Sequence, residues 1–410
     1  MPTARFNFWS LSAVTGVIAM LCTSNVMAQN SADNTMEDIQ QRVTDLENNV
    51  PLRVGIGVET LYILADSSEA SRDRAGIYLL DKFEMAINGD FDGGLYYRSR
   101  WDYQVSQQAF FPAWTYAGLK HNDDWSTEVG VIIQPLGAGV DGSYYDNSFL
   151  SDVPLWLGLA NNSEPGIKTK FKQGNTDWVF AFTKNAEIAS KPTARFRPDL
   201  IAQDITDSNG DTLPLSEVEV NNTFHGGGAY TIDLDGASLQ LGSNGQYGDL
   251  YNAKAAGNGG EHWAATAFAN YNAGGFALTL QGMTYDYNLD RAPAGAPPGS
   301  TTDTVFLSQG KPIPASGNVY STRISYTMPT SIGIFDTVKF YHDYDFLDSG
   351  SEDTISADDT QFSIAGVHLS RGAFNTWVSV YTSKNADFAN GGPDDDTWNT
   401  QFTVVGALYF

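Results

Sequence analysis

The stretch "GIKTKFKQG" (166–174) spaces Lys168, Lys170 and Lys172 two residues apart, with Ile167, Thr169 and Phe171 between them. On an extended chain successive side chains point to opposite faces, so the three ammonium groups form one row and the intervening residues the other. Arg98 and Arg100 make a shorter row of the same kind. Fixed cations along a confined aqueous wall concentrate counter-ions and bias which ions pass. Carboxylates stand close by in sequence: Glu128 on the polar face of 125–133, then Asp141, Asp146, Asp152 and Glu164 within 134–166. If the carboxylates of 134–166 face the basic row across a narrow gap, they would set a transverse field. The plainer reading is a wetted wall on which lysine is one tolerated polar residue, and the sequence leaves both open.

Nothing in the chain points to bond-making chemistry. "GAGVDG" (137–142) fits G-x-G-x-x-G, but "SYYDNSFLSD" follows it where a dinucleotide site needs a helix. His121, His225, His262, His342 and His368 fall at no ligand spacing, and Cys22 is the single cysteine. We therefore expect no enzyme activity, no cofactor and no metal. The 48 acids against 23 bases, a net charge of −25, argue against a nucleic-acid partner.

The elements that must carry these residues are strands. From 53 onward the chain reads as sixteen strands, the first over 53–64 and the last over 397–410. Turn chemistry separates them, as in "NGDFDG" (88–93), "QGN" (173–175), "DLDG" (233–236) and "NAGG" (272–275). The even-numbered connections read as short and the odd-numbered ones as nine residues or more, the longest being 134–166, 184–219 and 287–317. That alternation predicts an up-and-down antiparallel sheet with tight turns at one end and loops at the other. Sixteen strands close around a lumen too wide for side chains to fill. The faces divide accordingly: Leu95, Tyr97, Trp101 and Tyr103 oppose Tyr96, Arg98, Arg100 and Asp102. The expected fold is all-β, a 16-stranded antiparallel transmembrane β-barrel over 52–410, apolar outside and polar inside. Tyr62, Trp101, Tyr103, Trp125, Trp263, Tyr271, Tyr285 and Tyr409 are expected in interfacial girdles.

Two segments precede the barrel. Residues 1–28 read as a signal peptide, with Arg5, the apolar run 11–22 and "VMA" (26–28) before the cleavage point. In 29–51, Met36, Ile39, Val43, Leu46 and Val50 form a helical stripe that Pro51 ends. That short N-terminal helical segment either packs on its own domain or forms a coiled coil between subunits.

The chain closes on "QFTVVGALYF", a strand whose even positions Phe402, Val404, Leu408 and Phe410 are apolar. A terminal strand ending in Phe410 resembles the signal by which Gram-negative outer-membrane proteins are recognised for assembly. Together with the leader, the acidic chain and the alternating connections, it makes the sequence resemble the sixteen-stranded trimeric porins. "DFDGGLYYRSRWDY" and "GVIIQPLG" look most like the phosphate-selective branch. The resemblance implies a homotrimer in the cell outer membrane, contact with the outer-membrane assembly machinery through Phe410, and a constriction made by 134–166. That segment could instead lie over the rim. It further implies passive diffusion of ions and small hydrophilic solutes, or a narrower phosphate-like anion channel. Acid-rich 347–360 and 385–396 could bridge to lipopolysaccharide through divalent cations, or could simply be solvated. A secreted soluble β-rich adhesin or calcium-binding protein is the reading of another class; the lack of a fixed-period repeat counts against it.

Overall fold

The computed structural model describes residues 52–66, 68, 73–142, 147–148, 153–185, 198–200, 205–206, 212–213, 218–252, 256–290, 304–307, 311–350, 359–389, 392 and 396–410. The expected signal segment 1–28, the helical segment 29–51, Asp146 and Asp152 lie outside them. Sixteen strands form one closed antiparallel barrel in chain order. They are β1 Leu52–Ala65, β2 Ile77–Asp90, β3 Leu95–Gln104, β4 Ala109–Asn122, β5 Trp125–Ile133, β6 Ser163–Gln173, β7 Thr176–Asn185 and β8 Val218–Leu234. There follow β9 Ala237–Asn252, β10 Gly257–Ala273, β11 Phe276–Leu289, β12 Ser316–Pro329, β13 Thr337–Ser349, β14 Thr360–Arg371, β15 Phe374–Lys384 and β16 Trp398–Tyr409. Strand β16 pairs back onto β1, from Gly57 opposite Tyr409 to Ala65 opposite Gln401. The terminal residue extends that seam, because Ile56 and Phe410 exchange backbone hydrogen bonds of 2.7 and 2.9 Å. Among the described residues no helix is long and apolar enough to cross a membrane; strands cross by other means.

The tight turns lie at one end as expected, but the alternation of connection lengths needs correction. The third connection is only 105–108, and the ninth only 253–256, while the twelfth runs to 330–336. The third shortens because β4 begins at Ala109 and runs through Pro112. The β3–β4 ladder shifts register there, pairing Arg100 with Trp114 and Trp101 with Pro112. A bulge is where a sheet tolerates a residue without an N–H. The fifth connection is 134–162, so Glu164 is not a loop residue; it sits in β6 and is buried.

Large apolar side chains cover the outside of the barrel. Val54, Val129, Ile167, Phe180, Phe224, Leu241, Leu280 and Phe340 are all exposed, with Trp125, Trp178, Trp263 and Tyr320 towards strand ends. Two expected girdle residues face inward instead. Tyr285 is fully buried and donates to the Pro314 carbonyl at 3.1 Å, and the Tyr409 hydroxyl donates to Glu59 at 2.5 Å.

The inner face is not uniformly polar. Along β8–β15 a buried apolar cluster includes Val220, Leu250, Met283, Val319, Leu347, Ile364 and Tyr381, packed against residues of four connections. This explains why β14 and β15 alternate poorly in sequence. Phe362, Ile364 and Tyr381 point to that cluster while Val378 and Val380 take the other face.

Candidate functional site

The inner faces of β1–β7 hold two clusters of ion pairs. In the first, Glu128 of β5 forms ion pairs with Lys168 at 3.2 Å and Lys170 at 2.7 Å, both from β6, and accepts the Tyr96 hydroxyl at 3.2 Å. Period two puts the three lysines on one face, opposite outward Ile167 and Phe171, but they are not equivalent. Lys168 is buried and also donates to the Ile133 carbonyl, whereas Lys172 is exposed, 3.9 Å from Asp177. The expectation of three solvated rungs is corrected for Lys168. Its register beside Glu128 lies deep in the wall, whereas Lys172 ends the strand near the turn 174–175.

The second cluster lies beside the barrel seam. Lys82 of β2 pairs with Glu59 of β1 at 3.2 Å and Asp102 of β3 at 3.5 Å. Arg100 pairs with Glu84 at 2.8 Å and Asp102 at 2.9 Å, with its guanidinium 5.2 Å from the Trp114 ring centroid. Arg98 stands apart towards the short-turn rim, bonded to Asp90 at 2.8 Å. Arg98 and Arg100 therefore do not act as one pair. Each carries its own carboxylate.

The fifth connection enters the lumen. Its base is held where the Gln134 N–H donates to Asn162 at 2.8 Å. Gly137 donates to Asn244 Oδ1 at 3.2 Å, and Asn244 Nδ2 returns bonds to the Gly137 and Gly139 carbonyls at 2.9 and 3.0 Å. Asn270 Nδ2 donates to the Ala138 carbonyl at 2.9 Å. The lobe then turns back at Gly142, whose φ of 77° and contact with the Gln134 carbonyl leave no room for a Cβ. Further along, Asn147 donates to Asp343 at 2.8 Å and the Val153 N–H to Asp345 at 3.2 Å. Both acceptors lie on β13, eight strands from β5 and so across the barrel. Buried Arg323 stands 3.8 Å from Asp345. The G-x-G-x-x-G run thus serves as a crossing lobe, its glycines exposing backbone to the asparagines of the far wall.

Between that lobe and the wall is an open cavity of about 590 Å³, bordered by Gly139, Val140 and Asp141 on one side and by Tyr96, Arg98, Tyr116, Glu128, Lys170 and Lys172 on the other. The structure therefore brings Asp141 together with Glu128, Arg98 and two of the lysines, and leaves Arg100 in the seam cluster. Among the described residues no group of three or more His, Cys, Asp or Glu is arranged to hold a metal ion.

Sequence reasoning missed Glu59, Lys82, Glu84, Asn244, Asn270, Asp343 and Asp345. A signal existed for several: in "DKFEM" Lys82 and Glu84 alternate with Phe83 and Met85, and in "HDYDF" Asp343 and Asp345 alternate with Tyr344 and Phe346.

The fold superposes on those of several solved proteins. An anion-selective porin from Comamonas acidovorans superposes with a TM-score of 0.53 at 14% identity, covering 88% of this chain and 99% of that one. The fold is that of a bacterial porin. OmpF of Salmonella typhi, solved with daunomycin, gives 0.55 at 11% identity over 88% of this chain and 97% of that one. The outer membrane channel DcaP of Acinetobacter baumannii gives 0.53 at 9% identity with the same coverages. At these identities the likeness is one of fold. No protein-family model and no curated protein matches the sequence.

Proposed function

We propose that the protein is an outer-membrane channel through which ions and small hydrophilic solutes diffuse passively. The observation that carries the reading is the inverted barrel, with exposed apolar side chains around its outside and ion pairs along the inside of β1–β7. A soluble adhesin would turn that apolar band inward, so the same observation speaks against the secreted alternative. The channel assembles as a trimer through its walls, with 29–51 in a secondary role. It sits among lipopolysaccharide, with acid-rich outer loops reaching divalent cations, and Phe410 is the element the assembly machinery reads.

General diffusion is favoured over a phosphate-like site because the basic residues come with their counter-ions. Lys168 and Lys170 share Glu128, Arg100 has Glu84 and Asp102, and Arg98 has Asp90. An anion entering the lumen would have to displace a carboxylate at each. The test is single-channel recording in planar bilayers. Ohmic steps that scale with salt and are not blocked by millimolar phosphate are expected. Folded barrels that insert yet conduct nothing would sink the channel reading, and saturable phosphate block would replace general diffusion with the selective one.

A further inference from the structure

We infer that the passage runs along only one side of the barrel, the charged wall β1–β7, because the outer half of the lumen along β8–β15 is filled by a plug built from four connections. This rests on the channel reading and deepens it by saying where solutes travel and what they meet.

The plug is a hydrophobic core of the kind found in soluble domains, set inside a membrane barrel. Leu157 and Leu159 come from the fifth connection, Leu200 from the seventh, Leu307 from the eleventh and Phe388 from the fifteenth. All five are at most 1% exposed. Against them the wall presents Tyr285 and Phe362, equally buried. Polar ties run between the plug's parts and from the plug to the wall. Lys311 pairs with Asp387 at 2.6 Å between the eleventh and fifteenth connections, Tyr381 donates to the Ala389 carbonyl at 3.3 Å, and Thr360 donates to the Asn385 carbonyl at 2.6 Å. To open this side, several leucine- and phenylalanine-sized groups would have to meet water at once.

The charged side is built differently. Its inner face carries the two clusters of ion pairs beside a small buried apolar patch of Ala109, Phe111 and Ala113 on β4, and the cavity lies between Lys170, Lys172 and the lobe 134–142. Its rim is low where β3 and β4 join through the tight turn 105–108. A solute on this path meets fixed charges of both signs at close range, together with the rings of Tyr96 and Tyr116. That suits ions and compact polar molecules.

The barrel has no cysteine of its own, since Cys22 is the only one in the chain. Single cysteines can therefore report which wall is wet. In a Cys22→Ser background, Lys170→Cys and Tyr116→Cys probe the charged side; Met283→Cys and Val319→Cys probe the plugged side. The reagent is a charged, membrane-impermeant methanethiosulfonate applied to the assembled protein in bilayers, with conductance and extent of labelling both read. Lys170→Cys and Tyr116→Cys should label rapidly and reduce conductance. Met283→Cys and Val319→Cys should label at least a hundredfold more slowly, leave conductance unchanged, and react fully once denatured. Labelling of Met283→Cys or Val319→Cys within tenfold of Lys170→Cys, with a fall in conductance, would overturn the one-sided path. If every variant is folded and none conducts, the channel reading fails, while the labelling pattern still decides which wall is hydrated.

Discussion

Glu128 is the residue on which the basic row depends. One buried carboxylate pairs with two ammonium groups and accepts a tyrosine hydroxyl, so the lysines depend on its charge. Glu128→Gln should act in two ways. It leaves Lys168, 3% exposed, beside a neutral amide, and breaking a buried pair in this way costs about 3–5 kcal/mol. It also adds one positive charge to the wall, so the reversal potential in a salt gradient should move towards anion selectivity. A shift in the cation direction would mean the row does not face the path. Converting all three lysines to Glu is a poor test, because Lys168→Glu would set two carboxylates together in a buried place. Lys170→Glu with Lys172→Glu is the cleaner variant, and it should shift selectivity towards cations. Asp394, Asp395 and Asp396 all changed to Lys should shift it less, and in the opposite sense, if the row governs selectivity. Shifts of equal size from the two variants would mean that the overall field, and not the row, governs which ions pass. Period two made the direction of these side chains legible in the sequence. What it could not show was Glu128 opposite Lys168, since cross-strand partners follow from register and register from the closed barrel.

The fifth connection shows how an element is positioned by partners remote in sequence. Its reach across the lumen ends in two hydrogen bonds to carboxylates of β13. Asp345→Ala removes the acceptor of the Val153 N–H, a charge-assisted bond of about 1.5–3 kcal/mol, and with it the carboxylate 3.8 Å from buried Arg323. The expected result is a noisier channel, with more frequent brief transitions in single-channel records and an unchanged barrel yield. A quiet trace would show that the buried leucines hold the connection by themselves. That a long segment follows β5 was readable from its length and composition. Its path was not, because Asn244, Asn270 and Asp343 are ordinary polar residues of strands until the barrel brings them to face it. The third connection departed in the opposite direction: it read as nine residues or more and is only 105–108, because β4 starts early and bulges beside Pro112.

At the scale of the whole molecule, the barrel was legible because two periodicities reinforced each other: alternating faces within strands and turn chemistry between them. The plug was not, because Leu157, Leu307 and Phe388 lie in connections, where isolated apolar residues carry no periodic signal. A trimer is expected from cross-linking in mild detergent, and deleting 30–50 should weaken it without abolishing it, since two heptads contribute little alone. Recovery of monomer only would remove the trimer from the proposed assembly. Deleting Phe410, or changing it to Asp, should lower the yield of barrels in outer membranes; an undiminished yield would deny it a role in assembly.

The seam also has a consequence in time. Hairpins between successive strands can form as the chain arrives, but Thr60 bonds to the Gly406 carbonyl across 346 residues, and Ile56 meets the last residue of all. That ladder is the most distant in sequence and has no partner until the final strand is delivered, so it is the slow, late step. Until it forms, β1 and β16 are two unpaired edges of a wide sheet, each a template for a stranger's strand. The last ten residues therefore determine how long the unfinished sheet stays at risk, as well as where it closes.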